Sequence, residues 1–157
     1  MTGKTITAAL AVSCLAAPIA AQEPVRTIMP EDEQARAMLE RFGFSEAVVH
    51  GDTVYLSGVV AGTRGGTLSE EEAYDNAWRY IASILERAGS SLDDILDITT
   101  YHTDLPAQID LFAEVKHRHI IAPFPAWTAI DIDRLLPDSG LVEIKIVARV
   151  SDAEPEE

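Results

Sequence analysis

The chain has 157 residues, enough for one domain, and sets 26 acidic side chains against 12 lysines and arginines, a formal net charge of −14 at pH 7. A field of that sign repels phosphate backbones, and no basic stripe offsets it, so nucleic acid is a disfavoured partner. The single cysteine, Cys14, excludes an intramolecular disulfide.

Residues 1–21 carry one cation, Lys4, then an apolar run from Ile6, with small residues ahead of Gln22, Glu23 and Pro24. This is the layout of a secretory signal peptide, its apolar part being short and rich in alanine for a span; the alternative is an N-terminal membrane anchor that stays attached. Cleavage is expected after Ala21. It leaves a periplasmic or secreted chain without membrane attachment and without cysteine, with 11 cations facing 26 acids, a net charge of −15. A second reading makes Cys14 a lipid-attachment site; Ala11, three residues earlier, and the apolar run beyond the cysteine count against it.

Residues 22–30 read as a tether, 31–151 as the folded domain and 152–157 as a disordered acidic tail. Pro30 stands in the first turn of a short helix, EDEQARAMLERF, which Gly43 and Phe44 end. AVVHGDTVYLSGVV predicts a hairpin around Gly51 and Asp52. The glycine-rich AGTRGGT lacks the Lys-Ser/Thr ending of a phosphate cradle and reads as a plain connection.

LSEEEAYDNAWRYIASILERAGS predicts the longest helix. Ser69 and Glu72 make a capping box, Ala73, Ala77, Ile81, Ile84 and Leu85 recur at helical spacing, and Gly89 closes it. DILDITTYHTDL follows as a strand. Pro106 opens a second long helix with Ile109, Phe112 and Ala113 on one face, which PFP breaks. AWTAIDI and LVEIKIVARV close the domain as strands; in the latter, Val142, Ile144, Ile146, Ala148 and Val150 share one face.

The expected fold is α+β, a mixed sheet of about five to six strands with both long helices on one face. Apolar groups on the other face, Val147 beside Glu143 among them, predict that further subunits cover it in a closed homo-oligomer.

His117 and His119 lie two apart on a helix and point to different faces; with His50 before a turn and His102 in a strand, no metal site is expected. Glu143 stands mid-strand between Val and Ile, and two readings are open. It either faces a partly enclosed space, where a carboxylate needs a partner or has its pKa raised, or forms an exposed rim pair with Lys145 or Arg149.

VVHGDTVYLSGVV, ILERAGSSLDDILDITTYHTDL and the closing FPAW…LLP…LVEIKIVARV resemble RidA-type (YjgF-like) reactive-intermediate deaminases, in the family's order, from about Gly43 to Val150. The resemblance implies a chorismate-mutase-like fold and a homotrimer with three inter-subunit clefts. It also implies cofactor-free hydrolysis of enamines or imines, such as those released by pyridoxal-phosphate enzymes, to a keto acid and ammonia. By that resemblance Glu143 holds the attacking water, while Ser57, Gly58 and the backbone near Ala129 line the pocket.

Two positions depart from the family pattern. Phe44 stands where a cleft tyrosine is often found. Trp127 stands where an arginine grips the substrate carboxylate, and an indole offers one donor and no charge in place of a fork of donors and a permanent one. Trp127 either fills a subunit interface or stacks on a neutral, planar or cationic ligand. The expected function is therefore binding of a small molecule other than the usual amino-acid imines, with hydrolysis of a C=N bond at Glu143. The alternatives are a non-catalytic ligand-binding or holdase-like trimer and, the weakest, an endoribonuclease.

Overall fold

A computed structural model describes residues 24–151, so the leader-like segment with Cys14 and the acidic tail lie outside the described residues. The elements run β1 (Arg26–Ile28), α1 (Glu33–Phe42), β2 (Ala47–His50), β3 (Thr53–Leu56), β4 (Val59–Gly62), α2 (Glu70–Ala88), β5 (Ile95–His102), α3 (Leu105–His119), β6 (Ala126–Asp131) and β7 (Gly140–Arg149), with one 3-10 turn, Leu92–Asp94, ahead of β5.

β7 organises the sheet, whose order is β1-β2-β3-β7-β5-β6. Val142, Ile144, Ile146 and Ala148 alternate onto one face and are fully buried, so truncating either isoleucine to alanine costs about 2–5 kcal/mol. β5 pairs antiparallel along one edge of β7. The other edge takes β3 and then β4. The only parallel pair among the described strands is β5–β6, joined through α3, as a parallel neighbour requires a crossover.

β3 and β4 follow one another along the same edge of β7. Tyr55 pairs with Val147 but Val59 pairs with Ile144, so four residues on one side oppose three on the other. The extra residue is a bulge at Ser57–Gly58. It turns the chain while keeping Leu56 and Val59 in the core.

Both long helices cover the face that carries Ile144 and Ile146. α2 begins at the predicted capping box, with Ser69 Oγ accepting from the Glu72 amide and the Glu72 carboxylate accepting from the Ser69 amide, and ends at Gly89 in the left-handed region. It buries Tyr74, Trp78, Ile81, Ile84 and Leu85. No described element covers the opposite face, where Tyr55 and Ile130 lie exposed near Glu143, Lys145 and Val147.

Three local expectations change. Residues 26–28 of the expected tether form β1, paired Arg26↔Val49 and Ile28↔Ala47, with Ile28 buried. Three residues show no periodicity, and long-range pairing alone makes them a strand. With β1 and the separate β4 the sheet has seven strands. Pro30 lies outside α1: Asp32 is its N-cap, and the Pro30 carbonyl accepts from Nε and Nη2 of Arg36 at 3.1 and 2.9 Å.

The buried stripe of α3 runs through Gln108, Phe112, Val115 and Lys116 rather than Ile109, Phe112 and Ala113. Two polar residues on the inner face conceal it from a hydrophobicity pattern. Gln108 donates to Thr103 Oγ1 at 3.1 Å. Lys116 is 5% exposed, makes no ion pair among the described residues, and lays its Nζ 4.2 Å from the ring centroid of Trp127. Burial holds its pKa below the ordinary lysine value.

Lys116→Met should therefore stabilise the fold by about 1 kcal/mol or more at pH 7, since a desolvated charge is removed while the apolar stem remains. The sign follows from linkage. Between the lowered pKa and that of a free lysine, roughly 10.4, the unfolded chain binds a proton that the folded chain does not, so wild-type stability rises with pH. Urea unfolding followed from pH 7 up to the free-lysine value, roughly 10.4, should show that rise, and Lys116→Met should flatten it. An unchanged slope in the variant would show that Lys116 does not feel its burial.

Candidate functional site

The bulge at Ser57–Gly58 builds one half of the candidate site. The Ser57 amide donates to the Glu46 carbonyl at 2.8 Å and its hydroxyl to the Ser45 carbonyl at 2.7 Å, which ties the bulge to the segment before β2. Gly58 then lies directly beneath Glu143. A Cβ added there would overlap the Glu143 carboxylate and come within 2.8 Å of its Cγ. Glycine leaves the Glu143 side chain its place here; a larger residue would have to displace that side chain.

Ser57 and Gly58 line a groove of about 220 Å³ together with Met38, Phe44, Glu46 and Tyr80. Phe44 enters it because α1 ends on Gly43 in the left-handed region, with the Phe44 amide returning to the Leu39 carbonyl at 3.2 Å. Glu143 is half-buried beside Gly58 and makes no ion pair among the described residues. The rim pair with Arg149 does not form: that guanidinium meets Asp94 at 3.1 Å.

The groove also contains a buried polar cluster that the sequence reading missed. Glu46 is 6% exposed; its carboxylate accepts from the Tyr80 hydroxyl and pairs with Arg87 at 2.8 Å. Arg87 also donates to the Met29 carbonyl at 2.7 Å and the Ser83 carbonyl at 3.3 Å. An acid immediately ahead of a strand, with a tyrosine and an arginine seven residues apart on a helix, was the available signal.

Trp127 and Ala129 form a second group on the other face of the sheet. Trp127 pairs in register with Ile98, and Ala129 with Thr100, whose side chains lie in the helix-covered core. The indole packs on Phe112 of α3 with ring centroids 6.0 Å apart, lies under Lys116, and donates from Nε1 to Thr100 Oγ1 at 3.0 Å. The same hydroxyl lies 2.9 Å from Nε2 of His102, a fully buried ring whose pKa burial lowers.

Within one protomer the two groups do not meet. Glu143 pairs with Tyr101 and Tyr101 with Ile130, placing Trp127 two strands away and three residues along, about 10 Å in each direction, besides being on the opposite face. Each protomer thus carries a free carboxylate beside an aromatic groove and, at the β6 edge, an indole with a cation behind it. The remaining histidines join neither group: His50 is exposed at the end of β2, His119 meets Asp75 at 2.8 Å and stacks on Trp78, and His117 contacts Phe124 edge-on.

Comparison with known proteins agrees with this architecture. The family described as Endoribonuclease L-PSP matches residues 34–150. The RutC family protein YjgH of Escherichia coli K12 is 33% identical over 117 residues, covering 69% of this chain and 84% of YjgH. A RutC family protein of Pyrococcus abyssi is 28% identical over 109 residues, 67% of this chain and 84% of its own length. Among solved structures, a protein YJGH superposes with a TM-score of 0.69 at 26% identity, covering 85% of this chain and all of that one. RidA from the Antarctic bacterium Psychrobacter sp. superposes with a TM-score of 0.60 at 30% identity, covering 68% and 88%. With its seven-stranded mixed sheet and this span of matching sequence, the chain belongs to the Endoribonuclease L-PSP family, the RidA/YjgF-like proteins of chorismate-mutase-like fold.

Proposed function

We propose that the protein is a homotrimer that binds a small molecule in clefts between subunits. One subunit contributes Phe44, Ser57, Gly58 and Glu143, and its neighbour contributes Trp127 and the Ala129 backbone. The uncovered face of the sheet supports the assembly, because apolar side chains such as Tyr55 and Ile130 stand on it beside Glu143. The separation of the two site groups within a protomer supports a composite cleft.

The observation that carries the reading is Glu143. A carboxylate held over a glycine, beside a groove and without a cationic partner, can order a water and take its proton. For a C=N substrate the water oxygen bonds to carbon while Glu143 takes a water proton and passes it to the nitrogen. The hydroxyl proton of the resulting carbinolamine then goes to the nitrogen by the same carboxylate as the C–N bond breaks, so that an amine or ammonia leaves and a carbonyl remains. Trp127 restricts which substrates qualify. Its one N–H is spent on Thr100 and its ring carries no charge, so nothing at position 127 grips a carboxylate. Loss of one side of a desolvated charge pair costs about 2–5 kcal/mol. The net charge of −14 acts in the same direction and also opposes an RNA substrate. The leader-like segment supports export, with a mature chain that begins at Gln22 after cleavage.

Keto-acid release from 2-aminoacrylate-type imines should be negligible for the wild type and partly restored by Trp127→Arg; robust wild-type hydrolysis would overturn the substrate reading. Gly58→Ala should displace the Glu143 carboxylate and weaken ligand binding at least as much as Glu143→Gln, with little loss of stability because Gly58 lies on the surface. Should Glu143→Gln leave binding intact and a broad screen yield no hydrolysis, the trimer is a non-catalytic binder. Sedimentation equilibrium tests the assembly, and a monomer at micromolar concentration would remove the composite cleft.

A further inference from the structure

Tyr80 projects from α2 at the junction of three contiguous grooves. It lines the one with Phe44, Ser57 and Gly58, one of about 450 Å³ with Arg64 and Asn76, and one of about 370 Å³ with Glu31, Asp32 and Glu86. Tyr80 is 45% exposed, as is Phe44 in the same groove. Its hydroxyl, however, is fixed: it donates to the buried Glu46, whose second oxygen lies 2.8 Å from the Arg87 guanidinium in an ion pair without a hydrogen bond. Burial first, and then the bond to Glu46, push the phenol pKa up to about 12, so the proton stays on Tyr80.

We infer that Tyr80 is a ligand-binding residue of this groove, and that its hydroxyl oxygen accepts a hydrogen bond from the N–H of a small ammonium ligand with an apolar body. A phenol has one proton to donate, and that proton is committed to Glu46. What the oxygen has left to offer a ligand is its lone pairs, so the position selects donors. The aromatic faces of Phe44 and Tyr80 stabilise a cation placed against them. Arg87 does not compete as an anion grip, because it is engaged by Glu46 and by the carbonyls of Met29 and Ser83. The remaining charges on the grooves are Glu31, Asp32 and Glu86 against Arg64, a balance that favours a cation.

This rests on the reading that the groove is one half of the ligand cleft, and the experiment separates the two. The probes are butylammonium and its anionic counterpart butanoate, titrated against the full-length assembled protein by calorimetry. Butylammonium should bind at least tenfold more tightly than butanoate. Tyr80→Phe, which keeps the ring, should weaken butylammonium binding on the order of tenfold. Should that variant lose stability because Glu46 is left with one partner fewer, Tyr80→Phe combined with Glu46→Gln removes the buried charge and serves the same comparison.

Equal or tighter binding of butanoate, no butylammonium binding to the wild type, or an unchanged affinity in Tyr80→Phe each overturns the inference. Binding that depends on Tyr80 but ignores Glu143→Gln and Trp127→Phe supports the tyrosine site and overturns the composite cleft. Loss in those two variants with Tyr80→Phe unaffected does the reverse.

Discussion

The structure depends on how one edge of β7 is shared. β3 and β4 pair in succession with the same strand, and the register slips by one residue between them. A slip within a continuous strand would send every later side chain to the wrong face. Here the extra residue is absorbed at Ser57–Gly58, so Val59 returns to the core opposite Ile144 while Gly58 is left against Glu143. The bulge that preserves the core is thus the feature that clears room for the carboxylate. Core packing and site geometry are two consequences of one backbone irregularity.

A second constraint acts at the β6 edge. The indole of Trp127 gives its N–H to Thr100 and its face to Lys116, so both of its polar capacities are used inside the protomer. An arginine in that place would carry its charge on a flexible stem able to reach beyond the edge. The tryptophan anchors the edge strand to α3 instead, and the cation nearest to it sits behind the ring. Within the protomer, position 127 takes part in the helix–sheet packing, with Phe112 as its neighbour.

Much of this was legible in the residues. The capping box at Ser69 and Glu72, the stop at Gly89 and the strict alternation from Val142 to Ala148 each follow from local rules and appear in the structure. Other features resisted that reading for definite reasons. β1 has three residues and no pattern of its own. The inner face of α3 carries Gln108 and Lys116, whose polar ends find Thr103 and an aromatic face, so a hydrophobicity pattern misplaces the stripe. The Glu46–Tyr80–Arg87 cluster joins residues 34 and 41 positions apart in the chain, and the seven-residue spacing of Tyr80 and Arg87 does not by itself point to Glu46.

The sequence by itself determined the family and the order of the long elements, because these are properties of residue type and local periodicity. It also placed Glu143 on the face opposite the buried isoleucines, since a strand has a period of two. Only the tertiary structure decided which residues share a site. Glu143 stands over Gly58 because two segments slip by one residue along β7. It stands apart from Trp127 because β5 and a full sheet thickness lie between them. Those are distances across strands, fixed by register and pairing rather than by any residue's own chemistry.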